Sequence, residues 1–306
     1  MKMEFIFNIE RTPVRTRAAL TLIALLTLDS ASRARAQERP YFITYTHHME
    51  EPGALELAVN PVLGTQREGE SFLAGWTEVE YGLKGWWTTE FYLDGQGTRH
   101  DSALLTGYRW ENRFRLLLRE HRVNPVLYVE YESLSGADKT LLEVVGHDTE
   151  SDHAAPNLEA TAEREHEVET KLILSSNFAG WNASLNAIGE KNLSHAPWEF
   201  GYSLGISRPL GLAARPEACT FCPENLALGV ELYGGLGTRQ QLGFGGTSHY
   251  LAPLLCWSLP SGLTLRFSPS FGLNGVSHRL LLRWGVAYEV PGFAERVGRM
   301  LGRTGR

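Results

Sequence analysis

The chain has 306 residues, with 35 acidic against 29 basic side chains and a formal net charge of −6, a balance that disfavours nucleic acid as a partner. Three cysteines are too few to hold a chain of this length through disulfides, and no run approaches the ~18 apolar residues of a membrane-spanning helix. Hydrophobic patterning must therefore specify the fold.

Residues 1–36 read as a signal peptide. Arg11, Arg15 and Arg17 precede the apolar run AALTLIALLTL, and Ala34-Arg35-Ala36 supplies a small-x-small cleavage site. The segment carries a net charge of +3, so the exported remainder stands at −9. Residues 37–52 follow as a lead-in to the first strand or a segment lying in a lumen. Here His47, His48 and Glu50 gather metal-capable groups, but their spacing is no recognised zinc motif, and no metal or other cofactor is expected.

From residue 53 to 290 the period is two. Twelve segments show it, near 53–63, 70–82, 85–94, 102–117, 125–134, 161–175, 181–191, 197–208, 225–234, 249–259, 262–273 and 278–290. In 102–117, Leu104, Thr106, Tyr108, Trp110, Phe114 and Leu116 fall on one face, and Arg109, Glu111, Arg113 and Arg115 on the other. The next segment sets Leu127, Val129 and Tyr131 against Tyr128, Glu130 and Glu132. In EREHEVETKLIL, Glu163, Glu165, Glu167, Glu169 and Lys171 share a face opposite Val168, Thr170 and Leu172.

This alternation fits an exported sandwich or a transmembrane antiparallel barrel. Most runs reach the ~9–11 residues of a tilted membrane strand, and Trp86, Trp87, Trp181, Trp198 and Trp257 stand near segment ends, where a barrel carries its aromatic girdles. Both favour an all-β, up-and-down barrel with a charged lumen. Short and long connections alternate, as periplasmic turns and outer loops would, with 135–160 the longest. The segment 209–224 is an exception: a long connection on the short-turn side, carrying Cys219 and Cys222 as a candidate disulfide.

The last segment, RWGVAYEV (283–290), places Arg283, Gly285, Tyr288 and Val290 in an order that resembles the C-terminal signal of bacterial outer-membrane barrels. The tail 291–306 follows as a short basic periplasmic segment. Taken whole, the chain resembles those barrels, and loosely the transporter-like ones of this size. The resemblance implies a Gram-negative outer membrane, lipid contact, and recognition by the barrel-assembly machinery through 283–290.

On this reading the inward charges line a narrow bore, with Arg109, Arg113 and Arg115 pairing with Glu130 and Glu132 on the next strand. Excess acid favours cations, so the expected function is a pore or transporter for ions or small hydrophilic solutes. The alternatives are an adhesive or scaffolding barrel acting through 135–160, whose Leu141, Leu142, Val144 and Val145 form an apolar patch, and a lipid-modifying barrel. No Ser/His/acid arrangement or GxSxG motif supports catalysis.

Overall fold

The computed structural model describes residues 40–67, 69–140, 156–161, 164–194, 196–213 and 219–302. Glu163, the patch at Leu141 to Val145 and the signal segment lie outside them. The twelve strands close into one antiparallel barrel: β1 (Leu55–Thr65), β2 (Phe72–Lys84), β3 (Trp87–Thr98), β4 (Ala103–Arg115), β5 (Asn124–Ser135), β6 (Arg164–Phe178), β7 (Trp181–Asn192), β8 (Trp198–Pro209), β9 (Leu226–Thr238), β10 (His249–Ser258), β11 (Leu263–Gly272) and β12 (Leu280–Val290). Each strand pairs with its chain neighbours. β1 closes on β12 from Leu55↔Val290 to Thr65↔Leu280, so no edge is left with unpaired backbone. Among the described residues no helix is long and apolar enough to cross a membrane.

Period-two patterning decides which side of the wall each residue takes. Leu57, Val59, Val79, Phe91, Leu93, Leu127, Leu172, Leu204, Leu228, Leu255, Phe267 and Val286 are exposed on the outside, while Glu78, Glu90, Glu130, Asn186, Ser203 and Ser268 are buried within. A soluble sheet would show the opposite burial. A closed sheet with an apolar exterior and an ionic interior suits a lipid surround, which cannot satisfy backbone polar groups and so requires closure.

One face assignment is corrected. Leu104 and Thr106, both expected on the lipid side, take the inward positions: Thr106 is 0% exposed, Leu104 lies opposite the buried Gln96, and Leu105 is 75% exposed. Asp94 pairs with Gly107 but Gly95 with Leu105, so β4 holds one extra residue against β3 and its alternation inverts beyond the bulge. A Cβ on Gly107 would run into the Ser133 carbonyl, so the bulge requires glycine there.

Both termini of the barrel and the short turns Gly85-Trp86 and Ala179-Gly180 lie at one end. The long turn 210–225 is also at this end. There Cys219 and Cys222 form a disulfide, Phe221 stacks on Trp257 at 4.7 Å, and the Trp257 indole donates to the Thr220 carbonyl at 2.8 Å. A short α1 (Asn157–Ala160) belongs to the long loop at the opposite mouth, and α2 (Phe293–Met300) follows β12, where Ala294 donates to the Gly53 carbonyl at 2.9 Å.

Phe91 lies near the middle of β3 on the outer face. Phe91→Arg should cost about 2–4 kcal/mol, read by urea unfolding in lipid vesicles. A cost below about 0.5 kcal/mol would place this face in water.

Candidate functional site

The strand register assembles a feature that no single segment displays. Glu289, Glu56, Glu80, Glu90, Glu111, Glu130, Glu169, Glu190 and Glu199 occupy directly paired positions on nine neighbouring strands, from β12 through β1 to β8. All belong to the inward set. Because barrel strands tilt, a row of paired positions climbs the wall. This row runs from the terminal end at Glu289 to the opposite mouth at Glu199.

Like charges directly opposite one another destabilise a sheet, so the row requires compensation. Arg113 supplies it at the centre, with its guanidinium between Glu80, Glu90 at 3.4 Å and Glu111 at 2.7 Å, while Tyr92 donates to Glu111 at 2.5 Å. Lys171 contacts Glu169 at 2.7 Å and lies over the Tyr128 ring at 4.2 Å. Arg109 makes a two-pronged contact with Asp94, closest at 2.8 Å, and reaches Glu130 at 3.5 Å.

These contacts correct the expected pairing. Arg113 turns back to β2 and β3 and away from β5, because its own register partner on β5 is Tyr128. Arg109 spends most of its hydrogen bonding on Asp94, although Glu132 is its register partner. Arg115 has no ion pair with Glu130 or Glu132 among the described residues; it lies near His47 and His48. Glu165 is half-buried at the mouth of β6, and Glu167 is buried and accepts from Asn192 at 3.1 Å.

Residues 40–52 thread the lumen. The Glu231 carboxylate accepts three successive backbone N–H groups, from Phe42, Ile43 and Thr44, at 3.1, 2.9 and 2.7 Å. Hydrogen bonds to a charged group are worth about 1.5–3 kcal/mol each, so this one side chain anchors the segment. Tyr45 fixes the register: its amide donates to Asn186 at 2.7 Å, its hydroxyl to Glu111 at 2.8 Å, and its ring packs on Tyr128 at 5.0 Å. The wall is cut to fit, since a Cβ on Gly205 would collide with Tyr41 and one on Gly285 would meet Asn60 and Phe42. Gly285 of the terminal signal-like stretch thus has a packing role in the lumen.

His47 bonds Ser175 at 2.9 Å and lies 3.6 Å from Glu120, while His48 contacts Asn177 at 3.2 Å. Glu50 donates its amide to Thr88 at 3.2 Å. These three side chains do not converge as ligands. Among the described residues, the group that does is Glu130, Glu132 and Glu169.

Beyond the threaded segment lies a cavity of ≈ 130 Å³. Phe42, Ile43 and Tyr45 floor it, Asp94, Arg109, Glu132, Glu169 and Glu190 wall it, and Asp138 and Thr140 of the long loop reach its upper side. The start of that loop is tied down: Gln96 donates to the Ala137 carbonyl at 2.8 Å and accepts from the Lys139 amide at 2.8 Å. Glu190, Asp138 and Tyr45 escaped the sequence reading. For Glu190 a signal existed, as it is the one charged residue on the inward face of β7.

Among solved structures, the barrel is similar to the COG4313 outer membrane channel from Pseudomonas putida F1, with a TM-score of 0.51 at 11% identity over 84% of this chain and 100% of that one. It is also similar, at lower scores, to the KdgM porin (TM-score 0.48, 8% identity, 76% and 98% covered) and the NanC porin (0.44, 9%, 76% and 98%). No family model matches the chain, and no curated protein matches it by sequence. At these identities the likeness establishes architecture: the chain has the β-barrel fold of an outer-membrane channel.

Removing one partner of a buried ionic cluster strands the rest. Arg113→Met leaves Glu80, Glu90 and Glu111 facing one another and should cost about 3–5 kcal/mol, measured by chemical denaturation of the refolded barrel. Stability equal to wild type would show that the row is neutralised by some other group.

Proposed function

We propose that the protein is a narrow, cation-favouring pore or transporter for ions or small hydrophilic solutes in the outer membrane of a Gram-negative bacterium. In this reading residues 40–52 act as its internal plug. The observation that carries it is the row of paired glutamates running from one mouth of the lumen to the other. Inward acids outnumber inward bases, and rings of carboxylates favour cations in pores. A twelve-stranded bore is intermediate between one filled by side chains and an open channel, and a threaded segment fills it further. Membrane lipid surrounds the apolar belt. Residues 283–290 serve the assembly machinery as an end-of-barrel signal, with α2 as a periplasmic tail beyond it.

In planar bilayers, the barrel should pass small currents with a reversal potential favouring cations. Glu165→Gln combined with Glu167→Gln should reduce the preference several-fold, and Glu231→Ala should raise conductance by unfastening the plug. Silence from both wild type and Glu231→Ala across repeated insertions would discard the pore.

The plug also carries a pH response. Burial, helped by His48 and Arg115 and opposed by Glu120, pushes the His47 imidazole down to about 4. Released into water it titrates near 6.5. Protonation therefore favours release: docking is at full strength above about pH 6.5 and weakens as pH falls toward 4. Conductance should rise across that window and the rise should flatten in His47→Gln; an unchanged profile in the variant would assign the response elsewhere.

A further inference from the structure

The carboxylates beside the cavity do not balance locally. Arg109 is held mainly by Asp94 and reaches Glu130 only at 3.5 Å, while Lys171 is committed to Glu169 at 2.7 Å. Glu132 stands next to both acids, is 7% exposed, and lines the cavity. Among the described residues no hydrogen bond or ion pair satisfies it. Four carboxylates thus share two cationic groups in a space shielded from bulk water, where an uncompensated charge is costly.

We infer that Glu130, Glu132 and Glu169 form a binding site for a hard divalent cation of the Ca²⁺ type, at the edge of the cavity above the plug. One oxygen from each lies within 4.8 Å of the others. A calcium ion bound at about 2.3–2.6 Å from each ligand holds oxygens no more than about 5 Å apart, so each pair lies within the span of one ion and a shift of a few tenths of an ångström in the side chains brings all three onto it. Carboxylate-only donors select hard cations over zinc or copper. The remaining coordination positions face the cavity, which has room for water, as one water needs only about 10–15 Å³. Two positive charges offset the excess of four carboxylates over two basic groups. The inference rests on the cation-favouring reading of the lumen and makes this site the place where an entering cation pauses.

The test uses the full refolded barrel in detergent, with Tb³⁺ as a luminescent stand-in for Ca²⁺ and Trp76, which lines the same cavity, as its sensitiser. Tb³⁺ luminescence should saturate, and Ca²⁺ should displace it where K⁺ at equal ionic strength does not. Glu132→Gln should weaken binding at least tenfold. Because Glu132 makes no contact that holds the wall, the variant should retain heat-modifiable gel migration. Should it fail to fold, the wild-type competition decides alone: sensitised signal that Ca²⁺ does not displace, or none at all, overturns the site. So does equal affinity in wild type and a folded Glu132→Gln, which would mean that Glu132 is kept neutral by a proton. The binding readout is independent of current. Selective conductance without Ca²⁺ binding removes the site and keeps the pore; binding without conductance does the reverse.

Discussion

The constraint on which the rest of this barrel depends is electrostatic. Closing a sheet with glutamate at paired positions on successive strands forces like charges together inside a low-dielectric wall, where repulsion is far stronger than in water. Arg113 touches three members of the row at once, and Arg109 and Lys171 serve its upper part. The aromatic rings belong to the same solution. Tyr92 and Tyr128 lie under Arg109 and Lys171 at 4.3 and 4.2 Å while their hydroxyls donate to Glu111 and Glu130, so each ring serves a cation through its face and an anion through its edge.

The threaded segment is a part of this network as well as an obstruction. Tyr45 adds a donor to Glu111 and its ring lies 4.8 Å from the Lys171 ammonium, and Arg113 donates to the His48 carbonyl at 3.5 Å. Its apolar residues complete the inner packing: Ile43 joins the cluster of Val62, Phe72, Tyr233 and Tyr250, while Tyr45 and Met49 join Val126, Tyr128 and Ile173. The barrel interior therefore has two apolar patches whose partners come from the segment, and a set of glycines shaped around it.

The fold was legible in the sequence because a strand's side chains alternate strictly, and each of the twelve segments carries that alternation locally. What was not legible was anything that depends on how strands pair. The bulge that turns Thr106 inward appears in the chain only as glycines at 95, 97 and 107, which suit ordinary relief of crowding equally well. Arg113 has acids in reach on both sides, and the choice of β2 and β3 over β5 follows from Tyr128 occupying its register partner's place. Glu190 and Glu199 each read as the lone acid of its segment; only the register joins them to Glu169 and Glu130. For residues 40–52 the sequence left a strand lead-in and a lumen segment open; what decides for the lumen is a set of backbone amides held by Glu231 on a distant strand, which no local pattern announces.

That mode of anchoring has a physical consequence. A carboxylate that accepts three consecutive amides recognises a backbone conformation and is indifferent to the side chains there. The grip is therefore strong where it holds and cheap to lose as a unit, since the amides that leave Glu231 find water in its place. Withdrawal of Tyr45 would simultaneously take a hydroxyl from Glu111 and an aromatic face from Lys171 and Arg113. On the pore reading, water and mobile cations then take over the role of the withdrawn groups, so the charges that hold the plug in the closed state are the ones that draw cations in when it leaves. Opening and cation entry become one exchange of partners along the glutamate row, with selectivity set by what the row will accept in place of the plug.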